Sequence, residues 1–319
     1  MGDFISKQKK ELYSYVDSSK ESMYFGSYPQ TEIKDETLIM ELNKKAGTLP
    51  TESNTYNWVD YGYYINGEVE SYMYHIDIEL DEGKYRGVYF TQYRPYYTTT
   101  TSSNTYQDDN GYNTNTIYWF KYEKIKWNIL KTENGKALIV SDMLLDSQDY
   151  YTRQPRDRSG TTDYQGISTT DIVYSNNYMY SHIRSWLNEI FYETAFSTLE
   201  KEIIETTEVD NSVSSTGYSS NKYVCSNTSD KMFLLSWKEA EAYYSSDSER
   251  QAKGTDYAKS QGFYIVSGYS YYWLRSPSYY FDDCSRNVGY DGDIDSVNIY
   301  DYVSSTCYGV RPVCWVDLK

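Results

Sequence analysis

The chain has 319 residues, 30 basic and 46 acidic side chains, a formal charge of -16 and 41 tyrosines. With 39% hydrophobic and 24% charged residues it is too apolar for disorder, and no apolar run approaches the ~18 residues that a membrane-spanning helix needs. An acidic chain without a block of Lys and Arg is not built for nucleic-acid backbones or anionic membrane surfaces, so neither nucleic-acid binding nor membrane insertion is expected.

Residues 1–24 read as a charged helical lead-in without the apolar core of a secretory signal. As it stands the sequence is expected in the cytoplasm, and surface display stays open if a leader or anchor has been removed. From Asp35 to Gly47, Leu38, Leu42 and Ala46 recur at helical spacing, with Asp35 placed to cap the start and Gly47 to end the helix in a left-handed turn. Tyr85–Tyr93 alternates, with Val88 and Phe90 on one register. Ile117–Leu130 carries Ile117, Trp119, Ile125, Trp127 and Ile129 on alternate positions within two short runs, so strands are predicted in both segments. Ala137–Ser141 is a short apolar run suited to a buried strand.

A second helix is predicted from Ser181, with Ile183, Trp186, Leu187, Ile190 and Phe191 as its apolar stripe. Ser197-Thr198-Leu199-Glu200 and Ser236-Trp237-Lys238-Glu239 share the S-x-x-E spacing in which serine and glutamate satisfy orphan amides reciprocally, marking two further helix starts. Met232–Leu235 reads as a compact strand, and short strand-like pieces follow at Tyr271–Arg275, Asn287–Tyr290, Ser296–Tyr300 and Val310–Val316. Three stretches rich in Thr, Ser, Asn, Asp, Gly and Tyr have no period: Tyr96–Thr116, Thr152–Asn176 and Val213–Asn221. Loops of this length are functional or solvated surface. No internal repeat divides the chain, and a single α+β domain over 25–319 is expected.

Catalytic groups are scarce. His75 lies in a tyrosine-rich segment and His182 at the first turn of the second helix, where a surface or capping role is expected. Two histidines are too few for a serine triad or a histidine metal cluster. Cys225, Cys284, Cys307 and Cys314 are dispersed without a C-x-x-C pair, which points to reduced thiols and away from a zinc site or a disulfide scaffold. Neither phosphate-cradling glycine motif occurs. Asp291-Gly292-Asp293-Ile294-Asp295 lacks the twelfth-position glutamate of a calcium loop and reads as a turn, and Asn227-Thr228-Ser229 reads as a chance match to a glycosylation acceptor. No enzymatic activity, cofactor or metal is expected.

Tyrosine offers a large, fairly rigid contact surface with a polar tip, and Tyr, Ser, Gly and Asn dominate the binding loops of antibodies. The same alphabet fills Ser278–Asp301. On composition alone that segment is either a polar set of β turns with tyrosine spacers or a recognition surface.

Tyr272-Trp273-Leu274-Arg275-Ser276-Pro277, a polar stretch with Val288, Asp291-Gly292 and Val303, and Gly309-Val310-Arg311-Pro312-Val313 together resemble the carboxy-terminal part of a bacterial domain family of unassigned function. That family is similar to the formylglycine-generating-enzyme-like branch of the C-type lectin fold. Phe25-Gly26-Ser27-Tyr28-Pro29-Gln30, Ile125–Leu130, Ser185-Trp186-Leu187-Asn188 with Phe191 and Ala195-Phe196, and Asp230–Ser236 extend the resemblance over 25–319. It implies an α+β, C-type lectin-like fold: small twisted antiparallel sheets with flanking helices and long loops. Family members resemble targets of diversity-generating retroelements, in which adenine-directed rewriting of AAY codons near the gene's 3′ end yields Asn, Tyr, Asp, Ser, Cys, Phe and Gly.

The resemblance thus implies a variable region over 278–308. It gives a binding role to Tyr279, Tyr280, Phe281, Asp282, Asp283, Arg286, Asn287, Tyr290, Asp293, Asp295, Asn298, Tyr300, Asp301 and Tyr302, some of them turned inward by strand alternation. The implied ligand is a protein of variable identity; the oligomeric state is left open. The catalytic branches of the fold do not carry over. Cys284 and Cys307 match no copper-handling cysteine pair residue by residue, two histidines cannot build an iron site, and the calcium-dependent lectin motif is missing. A formylglycine-type oxidoreductase and a structural module without a partner site stand as the alternatives. Arg275 and Arg311, each in an apolar strand, are expected to be paired or bonded to carbonyls, and Trp273, Cys314 and Trp315 are expected in the core.

Overall fold

Apolar residues at alternate positions of Tyr118–Glu133 build the longest strand among the described residues, and the main sheet forms around it. The computed structural model describes residues 22–62, 64, 65, 68–94, 107–151, 173–294, 302, 303 and 308–318. In chain order the strands are β1 (Ser22–Glu32), β2 (Val59–Asp60), β3 (Tyr64–Ile65), β4 (Glu68–Val69), β5 (Met73–Leu80), β6 (Gly83–Phe90), β7 (Tyr118–Glu133), β8 (Lys136–Ser141) and β9 (Asp146–Ser147). They continue as β10 (Thr207–Val209), β11 (Thr228–Asp230), β12 (Ile265–Val266), β13 (Tyr269–Ser270), β14 (Tyr272–Pro277), β15 (Ser285–Val288), β16 (Gly309–Val310) and β17 (Val313–Asp317). Among the described residues the architecture is mixed α+β, with a seven-stranded antiparallel sheet ordered β17-β8-β7-β6-β5-β2, β1 also pairing β7. A four-stranded sheet, β15-β14-β16-β9, carries one parallel pair, β14 with β16.

Alternation sends β5, β6 and β7 into two cores. Tyr74, Tyr89 and Trp119 pack with Leu42 and Ala46 of the Glu36–Ala46 helix on one face, while Met73, Val88, Phe90 and Phe120 join the larger core on the other. That helix has the N-cap its sequence predicts, Asp35 accepting from the Leu38 amide at 2.8 Å, while Gly47 ends it with φ +72° and ψ -134° and not in the left-handed turn expected. Both S-x-x-E boxes form as well, at Thr198–Ile203 and Trp237–Tyr243. The second predicted helix starts at His182 behind Ser181, runs as a π-helix over Trp186–Phe191 and ends at Ala195. Inside the widened turn, Asn188 accepts from the amides of Lys231 and Met232 and donates to the Met232 carbonyl. One side chain thus joins two of the sequence motifs. A third is joined at Gly26, where β1 bulges against β7. Its φ of +68° favours glycine, and a Cβ there would lie 2.5 Å from the Phe196 ring.

Several expectations are corrected. Residues 22–24 belong to β1 and not to a helical lead-in, because they pair with Trp127 and its neighbours; residues 1–21 lie outside the described residues. The two runs predicted in Ile117–Leu130 are one strand, kept continuous by β6, β1 and β8 in turn. Met232–Leu235 is no strand: only Phe233 bridges, to Val313, and Asn188 and Arg275 bond the flanking backbone. Val213–Thr216, predicted irregular, is a 3-10 turn. Val310–Val316 is split at Arg311-Pro312, where the chain leaves the small sheet for the large one and proline has no N–H to extend a ladder. Asn287–Tyr290 forms earlier than predicted, as β15, and the chain turns at Tyr290-Asp291. The Ser296–Tyr300 strand, Cys307, most of 96–116 and most of 152–176 lie outside the described residues.

Tyrosine is also a core residue here. Tyr28, Tyr74, Tyr112, Tyr150, Tyr257 and Tyr272 are buried, and each phenol has a partner. Tyr28 donates to Asp146 at 2.7 Å, Tyr74 to the Ser71 carbonyl at 2.8 Å and Tyr112 to the Asp256 carbonyl at 3.0 Å. Tyr150 donates to the Arg275 carbonyl at 3.0 Å and Tyr272 to the Arg250 carbonyl at 2.8 Å, while Tyr257 meets the Tyr61 hydroxyl at 2.8 Å. Burial of an aromatic with a hydroxyl is economical only where such an acceptor exists.

Candidate functional site

The loop 278–284 joins β14 to β15, and its backbone is held from below. Asn176 Nδ2 donates to the Phe281 and Cys284 carbonyls at 2.9 and 3.0 Å. The Asn176 amide and Ser175 hydroxyl both reach the Asp282 carbonyl at 3.2 Å. Asn221 Nδ2 donates to the Pro277 and Ser278 carbonyls, and the Ser278 hydroxyl accepts from the amides of Tyr280 and Phe281. Ser175, Asn176 and Asn221 come from the two patternless stretches at 152–176 and 213–221. Those residues support the loop and do not cover it.

Above this frame, Tyr279, Tyr280 and Phe281 are 39%, 60% and 37% exposed. Their rings form a row. Tyr218 stacks on Tyr279 at 4.8 Å, Tyr280 meets Tyr279 edge-on at 5.1 Å, and Phe281 follows at 6.5 Å. At the inner end of the row the Arg286 guanidinium lies over Tyr218 and Trp237. Trp237 is positioned by its helix cap, by a 3.1 Å bond from its indole to the Ile294 carbonyl and by close approach to Gly217. A Cβ on Gly217 would lie 2.2 Å from the indole. Sequence reasoning missed Tyr218 and Trp237, because their membership depends on the approach of 213–221 to β15. The only signal was the Tyr-Ser-Asn composition of that stretch.

The structure divides the fourteen residues given a binding role. Tyr279, Tyr280 and Phe281 are exposed, and Asp282, Tyr290, Asp293 and Tyr302 are half-buried. Tyr290 joins a second aromatic group, packing edge-on against Tyr271, which stacks on Tyr308 at 5.3 Å. Asp283, Arg286 and Asn287 are buried, correcting their expected place on an open face: β15 is paired with β14, and both of its faces are covered. Asn287 is 5% exposed and neither amide atom has a partner among the described residues. Asp295, Asn298, Tyr300 and Asp301 lie outside the described residues.

The two arginines are structural, as expected. Arg275 makes a paired contact with Glu239, at 2.9 Å through Nη2, and also donates to the Leu234 carbonyl at 2.6 Å. Burial would raise the Glu239 carboxyl, but Arg275 outweighs it and holds it below its ordinary range. Arg311 donates to the Ser141 and Arg250 carbonyls and to the Tyr272 hydroxyl. Trp273 and Cys314 are core, with the Trp273 indole bonded to the Gln148 carbonyl at 2.8 Å. Trp315 is only half-buried and lines an open groove with Glu133, Lys136, Glu205 and Thr207, because β17 turns that face of the strand outward.

A second concentration of polar groups is enclosed. His182, expected in a surface or capping role, is buried at the start of its helix, with its Nδ1 3.1 Å from Asp149 Oδ1. Burial alone would raise Asp149, and His182 followed by Arg94 lowers it. Asp146, bonded to Tyr28, Ser147 and Gln148, is raised by burial. These groups pair with one another inside the core, although Gln148 Oε1 is left without a hydrogen-bond partner there. Among the described residues, no three His, Cys, Asp or Glu side chains are grouped to hold a metal ion, and Cys225 and Cys314 are free thiols.

No curated protein and no solved structure matches the chain. One family model, described as a domain of unknown function (DUF6273), matches residues 134–318, from the turn before β8 to the end of β17 and including the whole aromatic row. The match spans more than half of the 319 residues, and the chain belongs to the DUF6273 family.

Proposed function

We propose that the row Tyr218, Tyr279, Tyr280 and Phe281 is a recognition surface for a protein, carried on a C-type lectin-like scaffold of the formylglycine-generating-enzyme-like branch and diversified over 278–308 by a retroelement. Asp282, Tyr290, Asp293 and Tyr302 border it. Binding without turnover belongs to the same reading. The observation that carries it is the outward exposure of three consecutive aromatic side chains on a loop whose backbone is fixed. Hot spots of protein interfaces are rich in such anchors, and a raised aromatic row suits a macromolecule better than a small molecule, which needs a concave apolar pocket. Sequencing the same locus from several isolates tests the proposal. Substitutions confined to about 279–305 with unchanged flanks are expected, and an even spread along the gene would sink it.

A further inference from the structure

Arg286 is 7% exposed, and its guanidinium carbon lies 5.6 Å from the Tyr218 ring centroid and 5.9 Å from that of Trp237. Its Nε is fully sealed without an acceptor, and among the described residues the side chain makes no hydrogen bond or ion pair. The other buried arginines differ. Arg86 is held by Asp77, Arg275 by Glu239, and Arg250 by Asp247 and the Gly292 carbonyl, while Arg311 has two carbonyls and a phenol. A buried charge without a counter-charge costs several kcal/mol. A chain with formal charge -16 has carboxylates to spare for this position, and among the described residues none is paired with it.

We propose that Arg286 receives a carboxylate from the bound protein, entering beside Tyr218 at the inner end of the aromatic row. The inference rests on the recognition role proposed for that row. With its guanidinium carbon over two rings and only Nε sealed, Arg286 keeps its two terminal nitrogens for a planar, two-oxygen acceptor, the kind of group that arginine binds most strongly. Aromatic walls lower the local dielectric and strengthen that bond. The rest of the surface is acidic and repels anions at longer range. The partner is then a neutral or basic protein surface that presents one acidic residue, or its chain terminus, next to an apolar one.

Phenylacetate and phenylacetamide have the same ring and nearly the same shape and differ in charge, so they test the site without the partner. Their binding is followed by NMR at the Trp237 indole and Arg286 Nε–H signals. Phenylacetate is expected to bind about tenfold more tightly than the amide. Arg286→Gln should lose that preference and Arg286→Lys keep part of it. Should Arg286→Gln fail to fold, the comparison of the two probes on the unaltered protein still decides. Equal binding of the two probes overturns the proposal, as does tighter binding of inorganic phosphate than of phenylacetate, which would assign the site to tetrahedral oxyanions. The locus sequences judge the aromatic row separately, so one reading can fail while the other stands.

Discussion

The backbone amide of Gly26 donates to Glu200 Oε1 at 3.0 Å, a contact between residues 174 apart in sequence. Glu200 also accepts from the Ser197 amide and hydroxyl and from Lys124 at 2.8 Å. One buried carboxylate therefore fastens the β1 bulge, a helix start and β7 at the same point. Glu200→Ala leaves the Gly26 and Ser197 amides without acceptors and is expected to cost about 2–4 kcal/mol. Urea denaturation measures it, and a loss below about 0.5 kcal/mol would show that the contact does not hold the bulge.

The Arg275–Glu239 pair predicts strong coupling. Arg275→Met leaves Glu239 beside an apolar neighbour and is expected to cost about 3–5 kcal/mol, with Arg275→Met/Glu239→Gln costing much less than the sum of the two single changes. A double-mutant cycle checks this. Additive losses would mean that the two side chains contribute independently.

Acid should weaken the fold in two stages. Burial, with Arg86 next, pushes His75 down to about 3 from an ordinary 6.5. The unfolded chain therefore takes up that proton first, and stability present above pH 6.5 declines as pH falls toward 3. Burial would raise Asp77, but Arg86 outweighs it and lowers the carboxyl to about 2, so its contribution is present above 3.8 and lost below. Urea midpoints across this pH range should show His75→Gln flattening the upper stage and Asp77→Asn the lower one.

Exposure and burial also predict an order of melting temperatures. Tyr279→Ser and Tyr280→Ser should each shift stability by no more than about 0.5 kcal/mol. Trp273→Ala and Trp186→Ala remove buried rings and should cost about 3–5 kcal/mol each. The reverse order would place the row inside the core.

Local rules read well in this sequence. Asp35 caps its helix, and Ser197 with Glu200 and Ser236 with Glu239 form their boxes, because a cap depends on residues within one turn. The second partners of the same glutamates, Gly26 for one and Arg275 for the other, were not legible, since tertiary approach decides them. The same holds for the π-helical turn at Asn188 and for the burial of Arg286, which strand composition cannot reveal. Tyrosine misled most. Tyr150 and Tyr272 look in sequence like Tyr280, and what separates them is a carbonyl within reach of each phenol.

The Ser175, Asn176 and Asn221 contacts to loop 278–284 end on main-chain carbonyls, and the Ser278 hydroxyl receives main-chain amides. Every amino acid brings that carbonyl, and every one except proline brings that amide. The anchors therefore do not read which side chains stand at 279–282, and a rewritten loop would be gripped as firmly as this one. Within 279–282 only proline at 280 or 281, which would remove an amide, breaks the indifference, and outside it the Ser278 hydroxyl must be kept. A repertoire of otherwise unrelated loops would then share one stability and differ only in what they bind.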